Sequence, residues 1–91
     1  MSASPKPQVA IGRAIGLRRR DLDLSQETLA HAVGMSVRGL RKIEAGKGNP
    51  TWHTADTIAR ALGWSIAELA EKTVELETKD RKPINKPLRG H

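Results

Sequence analysis

The chain has 91 residues, no cysteine, and sixteen Lys plus Arg against ten Asp plus Glu, a formal charge of +6. A chain this short holds one small domain with a single core. Without thiols it has neither a disulfide framework nor a thiolate metal site, and with two Trp as its only aromatics an all-β domain is disfavoured. The charge is uneven: residues 1–20 carry five basic residues and no acid, residues 21–50 four of each. Residues 51–72 carry two basic and three acidic residues, and residues 73–91 five and three. A basic excess suits an anionic partner but does not choose one.

Residues 1–8 have no apolar stretch of the kind a signal peptide needs and read as a disordered N-terminal arm. No apolar run approaches the ~20 residues of a membrane span, so a cytoplasmic protein is expected. Ile11, Ala14, Ile15 and Leu22 then recur at helical spacing, which predicts a first helix over about 9–21. Ser25 caps a second helix that runs to Val33, with Leu29, Ala30 and Val33 inward and Gly34 ending it. Ser36 caps a third helix to about Ala45, closed by Gly46. Lys47-Gly48-Asn49-Pro50 is a loop by composition. Thr51 caps a fourth helix with Ile58, Ala59 and Leu62 inside, ended by Gly63. Ser65 and Glu68 form a capping box that opens a fifth, with Leu69 and Ala70 inside and an apolar pattern through Thr73, Val74 and Leu76. The fold expected is all-α, five helices in a domain over 9–77, followed by a basic, disordered tail over 78–91.

The second and third helices are joined by only Gly34, Met35 and Ser36, so they must cross steeply, as in a helix-turn-helix. On a helical wheel with Leu40 at zero, Arg38 falls at about 160° and Lys42 at about 200°, opposite the stripe of Leu40 and Ile43. Val37 and Arg41 flank them at about 60° and 100°. A short cationic helix held by a tight turn fits the major groove of DNA. Arg38 and Lys42 carry donors for guanine O6 and N7, and Val37 can meet a thymine methyl. Glu44 lies beside the apolar stripe, where a lone carboxylate is costly, and Arg18, Arg19 and Arg20 offer a partner from the first helix.

The segments Ile11-Gly12-Arg13-Ala14-Ile15, Arg19, Leu24 to Ala30, Val33-Gly34-Met35-Ser36, Ile43-Glu44-Ala45-Gly46, Pro50-Thr51, Ile58 to Gly63 and Glu68-Leu69 resemble the Cro/repressor-type (Xre, lambda-repressor-like) helix-turn-helix family over residues 9–72. The resemblance implies a compact five-helix domain that binds double-stranded DNA as a dimer on a two-fold related operator. It places Ser36, Val37, Arg38 and Lys42 at base-facing positions and Gln26 and Lys47 at the phosphate backbone. Ser25 and Arg41 join that phosphate set, and Arg19 with Glu44 match a buried pair. Three positions depart from the family pattern. Arg18 stands where an apolar residue is common, with Leu17 beside it expected to compensate by a slight rotation. Gly39 sits inside the recognition helix at a cost of about 1 kcal/mol against Ala, and Arg41 replaces a small polar residue.

A sequence-specific transcriptional regulator, a repressor by preference, is therefore the expected function. The alternative is an antitoxin, or another protein-interaction subunit, that neutralises a partner protein and binds DNA for autoregulation. Ile66, Leu69, Thr73, Val74 and Leu76 are candidates for a dimer surface; alternatively Ile66 and Leu69 complete the monomer core and 73–77 frays. An enzyme is not expected: there is no Gly-rich phosphate loop, and His31, His53 and His91 lack metal-ligand spacing, so no cofactor or metal is implied. His31 and His53 read as surface residues, and Trp52 and Trp64 as core or rim packing.

Overall fold

A computed structural model describes residues 7–80 and contains five helices: α1 (Pro7–Asp21), α2 (Gln26–Val33), α3 (Val37–Glu44), α4 (Trp52–Ala61) and α5 (Ile66–Asp80). The places where they start follow from local hydrogen bonding. Ser25, Ser36 and Thr51 each take an amide of the first turn onto a side-chain oxygen: Thr28 N at 3.0 Å, Gly39 N at 3.0 Å and Thr54 N at 3.1 Å. Ser65 and Glu68 complete their box, with Glu68 N donating to Ser65 Oγ and Ser65 N to Glu68 Oε1 (3.1 and 2.8 Å). Gly34 has φ +73°, and its amide with that of Met35 closes α2 on the His31 and Ala30 carbonyls. That conformation costs a residue with a Cβ, and it turns the chain directly into α3.

α1 packs on α5 and α3, α2 packs on α3 and α4, and α4 packs on α5. Ile15, Leu29, Leu40, Ile58, Leu62 and Leu69 are the fully buried large side chains, at least one from each helix. Each contributes about 1.5–3 kcal/mol through burial. α1 and α3 approach so closely at Gly12 that a methyl group there would overlap the Ile43 carbonyl oxygen. Gly12→Ala is therefore expected to destabilise the domain by about 1–3 kcal/mol through forced separation of the two helices, measurable as a lower urea midpoint.

The boundaries and some inward assignments differ from the sequence reading. α1 begins at Pro7, inside the expected 1–8 arm, because proline suits a first helical position where no amide is needed. α5 continues past residue 77 to Asp80, since no Pro or Gly interrupts the chain before Pro83. The rest of the expected arm and tail, residues 1–6 and 81–91, lie outside the described residues. Leu22 falls beyond the end of α1 and is exposed, and Ala70 is also exposed on α5. Trp52 is 73% exposed rather than packed, because it stands in the first turn of α4, at the edge of the core. Trp64 is half-buried against the core. Among the described residues, no helix is long and apolar enough to cross a membrane.

Candidate nucleic-acid interface

α3 is eight residues long and is fixed from one side only. Leu40 and Ile43 are buried, whereas Arg38 and Lys42 are exposed on the opposite side. Val37 is half-buried against the core, so less of it is offered outward than the helical wheel implies. Ser36 is exposed just before the helix, its oxygen occupied by the Gly39 amide and its proton left to donate. Arg38 and Lys42 thus form the outer side of α3, with Ser36 and Val37 at its start.

Behind that edge is a polar network centred on Glu44. Arg19 Nε donates to Glu44 Oε2 at 2.8 Å and Arg19 Nη2 to Glu44 Oε1 at 3.0 Å, a bidentate pair with side-chain exposures of 10% and 8%. The remaining end of Arg19, Nη1, donates to the Leu24 carbonyl at 2.8 Å. α1, the α1–α2 turn and the end of α3 are thereby joined through one guanidinium. No buried polar side-chain atom among the described residues is left without a partner.

Gln26 extends the network to the surface. Its Nε2 donates to Glu44 Oε1 at 3.0 Å, and its Oε1 accepts from Arg41 Nε at 3.2 Å. Arg41 also lies 3.7 Å from Glu27, an exposed and weak pair. Gln26 is therefore held at both ends of its carboxamide, with a single N–H left over. Arg41, expected at the phosphate backbone, is exposed and touches Gln26 and Glu27 within the fold. Ser25 is similarly engaged, because its hydroxyl caps Thr28 N and bonds Thr28 Oγ1 at 2.9 Å. Lys47 stands exposed in the loop after α3.

The exposed cations differ in their pairing. Away from the motif, Arg18 lies 3.8 Å from Asp21, Arg60 pairs with Asp56 at 3.1 Å and Lys72 with Glu75 at 3.2 Å. Arg38, Lys42, Lys47 and Arg20 are exposed and have no carboxylate partner among the described residues. Three of these four carry an expected DNA role; Arg20 does not. The sequence places Arg20 only as one member of an Arg-Arg-Arg run and does not tell it from its neighbours.

Of the candidate dimer residues, Leu69 is 0% exposed and belongs to the monomer core, with Ile66 half-buried against it. Leu76 also packs on the core, Thr73 is half-buried with its hydroxyl on the Leu69 carbonyl (2.8 Å), and Val74 is 56% exposed. Residues 73–77 are helical and not frayed. His31 and His53 are exposed, and among the described residues no group of His, Cys, Asp or Glu could hold a metal ion.

The match with known proteins falls on this same motif: the family model HTH_3, described as helix-turn-helix, covers residues 15–69. The chain belongs to the HTH_3 helix-turn-helix family. It is 37% identical over 65 residues to an uncharacterised HTH-type transcriptional regulator, y4dJ, of Sinorhizobium fredii, which covers 71% of this chain and 84% of that protein. Among solved structures it is similar to the restriction-modification controller protein C.AhdI from Aeromonas hydrophila. That match has 31% identity, a TM-score of 0.66, and coverage of 68% of this chain and 94% of the other. It is also similar to the clp gene regulator ClgR from Corynebacterium glutamicum, with 25% identity, a TM-score of 0.77, and coverage of 80% and 78%. The protein is thus an Xre-type transcriptional regulator with a helix-turn-helix DNA-binding fold.

The departures from the HTH_3 pattern now have physical accounts. Arg18 replaces an apolar contact by a different one, its guanidinium lying over the Trp64 ring, 5.0 Å from the centroid, while Nε donates to the Leu62 carbonyl at 3.0 Å. Leu17 does not rotate inward to compensate and is 47% exposed. Arg41 braces Gln26, as above. A methyl on Gly39 would stand 3.2 Å from Ser36 Oγ and 3.4 Å from Met35 Cε, so the glycine leaves room around the cap of α3.

Proposed function

We propose that this HTH_3 protein is a sequence-specific repressor that binds a two-fold related operator as a homodimer, with α3 in the major groove. The observation that carries this reading is the pair Arg38 and Lys42, exposed and without carboxylate partners on the side of α3 opposite its buried stripe. Both can donate to guanine edges, with Ser36 and the outward part of Val37 beside them for a hydroxyl contact and a methyl contact. Gln26 and Lys47 hold the phosphate backbone on either side, and the Ser25 cap fixes the start of α2 against it. A regulator of this kind acts on DNA in the cytoplasm.

A dimer gives the two recognition helices the spacing of one DNA turn, about 34 Å. The surface proposed for it is on α5, where Val74 is exposed with Thr73, Leu76 and the rim of Ile66 near it. Leu69 has no part in it, being enclosed in the monomer. Sedimentation of the protein with a labelled duplex tests the stoichiometry. Two chains per specific site are expected, and Val74→Asp is expected to leave the fold intact while halving that number. A single chain per saturated specific site in the parent protein would remove the dimer from the proposal.

A further inference from the structure

We propose that Arg20 is a phosphate ligand that grips the same stretch of duplex DNA backbone as Gln26. The inference rests on α2 and α3 being the DNA-binding face, and it adds a residue from α1 to that face.

Arg20 lies in the last turn of α1. Its Nη1 stands 3.5 Å from the position a Gly16 Cβ would take, and Glu44 Oε1 stands 3.3 Å from that same position. The guanidinium is therefore a neighbour of the Glu44 carboxylate, yet it makes no ion pair there. The Glu44 charge is already matched by Arg19, whose guanidinium is bidentate on both oxygens, and Oε1 also accepts from Gln26. With Glu44 neutralised by Arg19, the exposed Arg20 has no carboxylate of its own beside the end of α3.

Glu44 also engages a second donor, Gln26. Gln26 gives one amide hydrogen to Glu44 and its oxygen to Arg41, so its second Nε2 hydrogen is the part available to an outside acceptor. The charged planar fork of Arg20 and the held neutral N–H of Gln26 thus share the Glu44 carboxylate as a neighbour. A phosphodiester matches both, because its two free oxygens can accept from the guanidinium and from the carboxamide together. Arg18, two residues earlier in the chain, has partners of its own, lying on Trp64 and near Asp21.

The test compares the full chain with Arg20→Ala, Arg20→Lys and Arg60→Ala, the last a cation paired with Asp56 on α4. Affinity is read by fluorescence anisotropy on a selected duplex and on a duplex of unrelated sequence, across a salt series. Arg20→Ala is expected to weaken both duplexes by the same factor, about tenfold, and to lower the slope of log affinity against log salt by about 0.9. Arg20→Lys should keep the slope, and Arg60→Ala should change neither quantity. Circular dichroism and the melting temperature of Arg20→Ala should match the parent, since Arg20 makes no contact that the fold needs. An unchanged salt slope in Arg20→Ala, or a loss confined to the selected duplex, overturns the assignment while leaving the DNA-binding face in place. Failure of the parent protein to bind either duplex overturns both.

Discussion

Glu44→Ala is expected to lower the unfolding free energy by about 3–5 kcal/mol, the cost of leaving a buried charge without its partner. A small domain has only about 5–15 kcal/mol in all, so the loss takes a large share of its stability. The prediction follows from three facts about one side chain. Arg19 is 8% exposed, its guanidinium is bidentate on Glu44, and its remaining donor reaches Leu24 across the α1–α2 turn. Removing the carboxylate strands the guanidinium beneath that turn and releases Gln26. Urea denaturation measures the loss directly. The double variant Arg19→Met with Glu44→Leu should recover most of it, because apolar residues of similar volume remove both charges together. A loss below about 1 kcal/mol in Glu44→Ala would give the pair the weight of a surface salt bridge and contradict its role as the brace of the motif.

The second large effect concerns recognition, not stability. Arg38→Ala and Lys42→Ala are each expected to reduce discrimination between selected and unrelated DNA by about 1–3 kcal/mol. Neither side chain has a described partner within the fold, so neither change should move the melting temperature. The two functions of α3 are separated around its circumference: Leu40 and Ile43 hold it, while Arg38 and Lys42 face away. Competition titrations with paired duplexes read the discrimination. Equal weakening on both duplexes would make these residues backbone contacts, and the sequence preference would then have to arise from Ser36, Val37 or the shape of the DNA.

The helix starts were legible in the sequence because their causes are local. Ser25, Ser36, Thr51 and the Ser65–Glu68 box each act within three or four residues, and Gly34 ends α2 by its own backbone freedom. The outward pair Arg38 and Lys42 was legible for the same reason, since helical period alone sets them opposite Leu40. Glu44 was legible as a carboxylate needing a cation, but the period left three consecutive arginines as candidates. Arg19 was chosen among them by resemblance. The fates of the other two depend on neighbours far along the chain: Arg18 on Trp64 and Leu62, Arg20 on a carboxylate whose charge Arg19 already matches. Gly12 belongs to a motif segment, yet its necessity lies in how closely α1 crosses α3. The sequence leaves Leu69 open between the monomer core and a dimer surface, and expects Trp52 to pack, because the apolar pattern says which residues want burial, not which have a partner to cover them. Leu69 has the whole core, whereas Trp52 stands at its edge.

The central claim is that α3, presented by α2, reads base sequence in the major groove. Selection of bound duplexes from a random pool tests it most directly. The expected outcome is enrichment of a two-fold related site whose half-sites are one helical turn apart, about 34 Å. Enrichment should weaken at specific half-site positions when the selection is repeated with Arg38→Ala. No enrichment over the starting pool, with the parent protein folded, would contradict the claim.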